Sequence, residues 1–156
     1  LAEAPAGFQG MAQEGVRLED RLGRAFKELF ERGYSPVLLR GSDSPGVPTS
    51  AIGQFLVALK AYDVVFGPDS NGGYYLVGMN SPEAGLFGFA LSNDNVLAHS
   101  LKAARRLGMT TKTLESSYDI NTASDLVYLK SNSKGPVSRK SVAFATHNDL
   151  WRYIPA

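Results

Sequence analysis

Val37-Leu38-Leu39 is an unbroken apolar run, and the chain passes from it through Arg40 into Gly41-Ser42-Asp43-Ser44-Pro45. A strand with one wet face alternates apolar and polar residues; a continuous run suits a strand buried on both faces, as in a parallel sheet covered by helices. Helical periodicity flanks the run. Over 16–32, Leu18, Leu22, Ala25, Phe26, Leu29 and Phe30 share one face, and Gly33 stands where a C-terminal cap belongs. Over 49–62, Ile52, Phe55, Leu56 and Leu59 point inward, and a second apolar run follows at 63–66. Strand, loop, helix and strand make the unit of a parallel sheet, with a right-handed crossover.

The same reading continues along the chain. A loop rich in Gly, Pro, Asp and Asn fills 67–73, and 74–79 is a third strand. Residues 93–107 read as a helix with Val96, Leu97, Leu101 and Ala104 inward and Gly108 after it. Threonines mark 109–114 as a strand. A helix over 122–130 opens on Thr122-x-x-Asp125, a capping box with Asp in place of Glu. Beyond Asn132 the pattern fades: 131–140 reads as a linker, and Phe144, Trp151 and Tyr153 lie in a tail without clear period. Trp151 and Tyr153 are expected to dock on the chain's own core in preference to a partner. The expectation is an α/β domain over 1–132 with a C-terminal extension over 133–156.

Several function classes lose support at once. A net charge of +1 offers no broad attraction to nucleic acid or anionic membrane. The absence of cysteine removes disulfides, thiolate metal sites and a Cys nucleophile, and fits a reducing, cytoplasmic setting. No apolar run is long enough to span a bilayer, and residues 1–10 lack the basic start and apolar core of a signal peptide. His99 reads as a surface residue and His147 falls in the tail, so no Ser-His-Asp set stands out. The chain begins at Leu1 on a loop-like stretch, which reads as a fragment of a longer protein.

Three loops at strand ends carry polar chemistry, and ligands of open α/β sheets bind outside the carboxyl ends of strands. In the first, Asp43 is either a ligand for a hard cation or an ordinary turn residue. In Gly67-Pro68-Asp69-Ser70-Asn71-Gly72-Gly73-Tyr74-Tyr75, Asp69 and Asn71 suit sugar hydroxyls, and paired glycines suit close approach of a ligand. The rival there is a hairpin with an Asn-Gly turn. Tyr74 and Tyr75 point to opposite faces, one packing and the other available to a crevice. In Asp119-Ile120-Asn121-Thr122, both Asp119 and Asn121 can direct oxygens at one cation, or simply cap the helix.

The order of these segments is more specific than any one of them. Gly-Ser-Asp-Ser-Pro, Asp-Val-Val-Phe-Gly-Pro, Gly-Gly-Tyr-Tyr-Leu-Val-Gly and Asp-Ile-Asn-Thr-x-x-Asp-Leu together resemble the glycosyltransferase-like family of domain of unknown function 2064. More distantly the chain is similar to nucleotidyltransferases of the same A-type glycosyltransferase fold. Gln13, Gly15, Leu18 and Arg21 add to the likeness, which runs from Gln13 to Leu126.

The resemblance implies a three-layer α/β/α domain with a mostly parallel, Rossmann-like sheet. It implies a nucleotide sugar or nucleoside triphosphate as one substrate, a small acceptor as the other, and Mg²⁺ or Mn²⁺ on the phosphates. Asp43 and Asp119 become the catalytic candidates, and Asp43 and Asn121 the metal ligands. Gly41, Ser42, Asn71, Gly72, Gly73, Tyr74 and Arg21 become substrate-binding candidates, with a weaker correspondence at Leu91, Ser92 and Asn93. Association into a homodimer is left open.

Departures from the family pattern bear on activity. Asn71 stands where an Asp usually precedes the Gly-Gly pair, and Asn121 where a second Asp is usual. Each keeps an oxygen and loses a charge. Arg40 replaces a usual apolar residue, either to reach phosphate or to extend from the strand end into water. The family's first strand and its Gly- and basic-rich nucleotide loop have no counterpart before Gln13. The expected activity is metal-dependent transfer of a glycosyl or nucleotidyl group. Its alternatives are a nucleotide-binding domain without turnover and an interaction domain that keeps only the fold.

Overall fold

A computed structural model describes residues 6–88, 95–132 and 138–155. Helix α1 (Leu18–Glu31) carries Glu19 and Asp20 in its first turn, where the helix dipole favours negative charge. It ends as its glycine foretells. Gly33 adopts φ +86°, its N–H donates to Phe30 O and the next N–H, of Tyr34, reaches back to Leu29 O. Strand β1 (Val37–Arg40) follows, then α2 (Thr49–Ala58), β2 (Val64–Pro68) and β3 (Tyr74–Met79). A 3₁₀ turn (Ala84–Phe87), α3 (Val96–Arg106) and β4 (Thr111–Thr113) complete the sheet region.

The strands form one sheet in the order β1-β3-β2-β4. β3 lies antiparallel to both β1 and β2, and only β2 and β4 form a parallel ladder. The expectation of a mostly parallel sheet is therefore wrong: the sheet is mixed and most of its ladders are antiparallel. The reason is connection length. Residues 69–73 suffice for a hairpin, whereas a parallel return needs a crossover of a dozen or more residues. Helix α2 provides such a crossover from β1 to β2, and β3 folds back into the gap between them. β1, β2 and β4 still share one direction, so their carboxyl ends lie along one rim of the sheet.

Helices pack on two faces of the sheet. Val64, Phe66, Val77 and Met79 pack with Phe26 of α1, Ala104 of α3 and Phe87. Val65 and Leu76 pack with Phe55 of α2 and with Leu59 just after it. This alternation along β2 explains why its sequence is apolar throughout. Fully buried Phe66 alone contributes on the order of 2–3 kcal/mol of transfer free energy.

The C-terminal part is helical. The Thr122–Asp125 capping box is present and leads through a 3₁₀ turn (Ala123–Asp125) into α4 (Leu126–Ser131). The tail without clear period contains α5 (Arg139–His147) and a 3₁₀ turn (Leu150–Tyr153). Trp151 packs with Leu126, Leu129 and Ala145, and its Nε1–H donates to Thr146 Oγ1 at 3.1 Å. Tyr153 stays exposed beneath the Arg152 guanidinium. Leu91, Ser92, Asn93 and much of the expected linker lie outside the described residues. No helix among the described residues is long and apolar enough to cross a membrane.

Candidate functional site

The three polar loops meet at the rim formed by the carboxyl ends of β1, β2 and β4. The loop after β1 continues the ladder for one residue, with Gly41 N–H donating to Tyr75 O at 3.0 Å. Arg40 Nη2 then donates to Ser44 O at 2.6 Å. Arg40 thus clamps its own loop. Asp43 is left exposed at the rim, while Ser44 is fully buried beneath it.

The segment after β4 is what completes the site. It crosses from one edge of the sheet to the other. Leu114 N–H donates to Phe66 O, Ser117 N–H to Pro68 O and Ile120 N–H to Asp43 O, each at 2.9 Å. Tyr75 of β3 supports the crossing from below, its hydroxyl donating to Glu115 O at 3.2 Å. The crossing delivers Asp119, buried, onto Ser44, whose hydroxyl donates to Asp119 Oδ1.

Asp69, just past the end of β2, lies close enough to Asp119 for the two carboxyls to act on each other. Its Oδ1 accepts the N–H groups of Asn71 at 2.7 Å and Gly73 at 2.8 Å, which shapes the hairpin. Two glycines make room for these carboxylates. A Cβ on Gly41 would lie 2.6 Å from Asp43 Oδ1, and one on Gly73 would lie 2.5 Å from Asp69 Oδ2. Burial, opposed by the Ser44 hydrogen bond and reinforced by the negative charges of Asp43 and Asp69, raises the Asp119 carboxyl to about 6. A carboxyl titrating there can exchange a proton near neutral pH.

The remaining sequence candidates divide. Gly41 and Ser42 flank Asp43 at the rim, and Asn71, Gly72 and Gly73 form the neighbouring hairpin, tied to α3 by Leu97 N–H donating to Gly72 O at 2.9 Å. Tyr74 packs on Phe66 with ring centroids 5.2 Å apart, and Tyr75 packs edge-on to Phe55, so both tyrosines serve the core. Asn121 is exposed and its N–H donates to Asp125 Oδ2, within the capping box. Arg21 lies on α1, its guanidinium donating to the carbonyls of Gly15 and Val16, away from the rim.

Asp69 is the residue that the sequence undervalued. Its place in the sequence suits sugar hydroxyls, yet it directly follows β2 as the Asp43 loop follows β1. A negative charge missing at Asn71 is therefore present two residues earlier. Ser44 gave no signal beyond its place in the loop. Among the described residues no group of three or more His, Cys, Asp or Glu is placed to hold a metal ion. The oxygens of Asp43, Asp69 and Asp119 are nonetheless hard donors, of the type that Mg²⁺ and Mn²⁺ take alongside phosphate and water.

A family profile described as "Uncharacterized protein conserved in bacteria (DUF2064)" matches residues 1–90. No curated protein matches the chain significantly. Among the solved structures that match is a protein of Desulfovibrio desulfuricans G20, described as a "putative nucleotide-diphospho-sugar transferase". It is 28% identical, with a TM-score of 0.80 over 92% of this chain and 65% of that one. The chain thus shares a transferase-like fold with that protein and spans less than two thirds of its length.

Proposed function

For a chain that belongs to the DUF2064 family of bacterial proteins, we propose a divalent-cation-dependent glycosyl transfer from a nucleotide sugar to a small acceptor hydroxyl. The convergence of Asp43, Asp69 and Asp119 on one rim is the observation that carries this reading. The name of the Desulfovibrio structure supports nucleotide sugars as the donor class.

Asp43, exposed at the rim, would hold the cation, with donor phosphate oxygens as its further ligands. When bound, the cation offsets the negative charge that develops on the diphosphate as the glycosidic C–O bond breaks. Asp119, raised to about 6, would accept the acceptor hydroxyl's proton as the new C–O bond forms at the anomeric carbon. The nucleoside diphosphate leaves with the bonding electron pair. The Asn71–Gly73 hairpin, its shape fixed by Asp69, would lie beside the donor, and Arg40 holds the Asp43 loop in place. Asp69 supplies the charge that Asn71 lacks, which weighs against binding without turnover.

Calorimetric titration with a panel of nucleotide sugars and nucleoside triphosphates, with and without Mg²⁺ or Mn²⁺, tests the reading. Asp43→Ala should abolish the metal-dependent part of the affinity. Unchanged metal-dependent affinity in that variant would refute the assignment, and nucleoside triphosphate turnover without sugar transfer would replace glycosyl by nucleotidyl transfer.

A further inference from the structure

Beside Asp43 the rim opens into a cavity of about 530 Å³, between the loop after β1 and the C-terminal helices. Its wall is apolar: Ile120, Leu126, Leu129, Phe144 and Leu150. Ser42, Asp43 and Lys140 add polar groups to its lining. Ser138 of the C-terminal unit donates to Pro45 O at 2.7 Å, which fastens this unit to the Asp43 loop. Phe144 is 64% exposed although it sits on the wall of a ligand-sized cavity.

We propose that this cavity is the acceptor subsite, and that the acceptor has an apolar body, an anionic group and a hydroxyl. This rests on the transferase reading above. The anion would pair with Lys140, the body would lie on Phe144 and Leu150, and the hydroxyl would face the Asp43 corner. A polar sugar acceptor would leave this wall without a partner. The C-terminal extension then selects the acceptor, while the hairpin and the β1 loop hold the donor.

8-Anilino-1-naphthalenesulfonate, with fused apolar rings and one anionic group, is a suitable probe. Its titration should be followed by amide NMR. The amides of Ala145 and Leu150 are expected to shift saturably. Phe144→Ser should weaken the affinity read at these amides at least fivefold, and Lys140→Glu severalfold; both side chains are exposed, so neither change threatens the fold. Asp43→Asn should leave the probe's affinity intact while losing metal-dependent nucleotide-sugar binding, and Phe144→Ser should do the reverse. The two proposals therefore fail separately. Wild-type affinity in both wall variants, or no saturable shift at Ala145 and Leu150, would overturn the subsite. So would sedimentation showing a dimer that Phe144→Ser dissociates, because the wall would then belong to a second copy of the chain.

Discussion

The Ser44 hydroxyl donates a hydrogen bond to Asp119 Oδ1, joining the loop after β1 to the segment after β4, from opposite edges of the sheet. Both residues are buried, so the bond is made away from water. A donor to a carboxylate favours its charged form, and here it opposes burial and the two neighbouring carboxylates. Ser44→Ala should therefore move the Asp119 titration above about 6. It should also cost ~1–3 kcal/mol, as expected when a buried acceptor loses its donor. Carboxyl ¹³C NMR titration reads the first effect and denaturant unfolding the second. An unmoved titration would show that Ser44 does not tune Asp119.

Asp119 also sets a pH dependence whose sign is fixed. Its folded value, about 6, lies above the ordinary 3.8, so the native state holds the proton more tightly than the unfolded chain. The stability it contributes is full below the unfolded value and is lost as pH rises through the folded one. Asp119→Asn keeps Oδ1 as acceptor and removes the charge. Without divalent cations, the variant should gain melting temperature relative to wild type between about pH 4 and about pH 7.5. A difference that stays flat across that range would contradict the burial of a charged Asp119.

Gly41 isolates the rim from the fold. Its Cβ would collide with a carboxylate tip that is free to turn, not with backbone. Gly41→Ala should leave unfolding free energy within ~0.5 kcal/mol, as for a substitution outside the core. It should also displace Asp43 and weaken metal-dependent nucleotide-sugar binding about tenfold, or ~1.4 kcal/mol. Full affinity in a folded variant would remove Asp43 from the proposed ligands.

What the sequence made legible follows from where information is local. Val64-Val65-Phe66 announced a strand buried on both faces, and Gly33 and the Thr122–Asp125 box announced helix ends, because each signal lies within a few residues. Asp43 and Asp119 could be suspected from their motifs. Strand direction could not be read from apolar runs, because an antiparallel strand buried over most of its length, such as β3, looks like a parallel one. The short 69–73 connection did carry the answer. The Ser44–Asp119 bond and the approach of Asp69 depend on a crossing segment whose path is set by long-range pairings. The helical tail was hidden because α5 buries little beyond Ala145 and leaves Phe144 in the open, which blurs its period.

Asp63 provides a second pH signature, of opposite sign. Its Oδ2 accepts the N–H of Thr110 at 2.7 Å and its hydroxyl at 2.6 Å, fastening the start of β4 to the start of β2. These two donors hold the carboxyl below its ordinary value. Its stabilisation is present above that ordinary value and is lost as pH falls through the lower folded one. Asp63→Ala should cost ~1–2 kcal/mol near neutral pH, moderated by solvent exposure. The deficit should shrink in strongly acid solution, as seen by unfolding at stepped pH. A pH-independent deficit would assign the loss to packing instead.

Tyr75 tests whether the crossing segment is held from below. Its ring packs against Phe55 and under Gly67, where a Cβ would lie 2.4 Å from the ring, while its hydroxyl alone reaches Glu115 O. Tyr75→Phe keeps the packing and removes the bond. Glu115 is exposed, so water can replace the donor, and global stability should fall by no more than ~1 kcal/mol. The effect should appear locally. Ser117 N–H, which donates to Pro68 O just beyond the support, should exchange with solvent up to about fivefold faster, the equivalent of that ~1 kcal/mol. Amides of the β2–β3 ladder should keep their protection once corrected for any global change. Asp119, the proposed proton acceptor, hangs from this segment, so on that proposal the transfer rate should fall with the loosening while donor affinity, assigned to the β1 loop and the hairpin, stays as in wild type. Equal exchange at Ser117 in both proteins would mean that the backbone pairings to Phe66, Pro68 and Asp43 carry the crossing without the tyrosine.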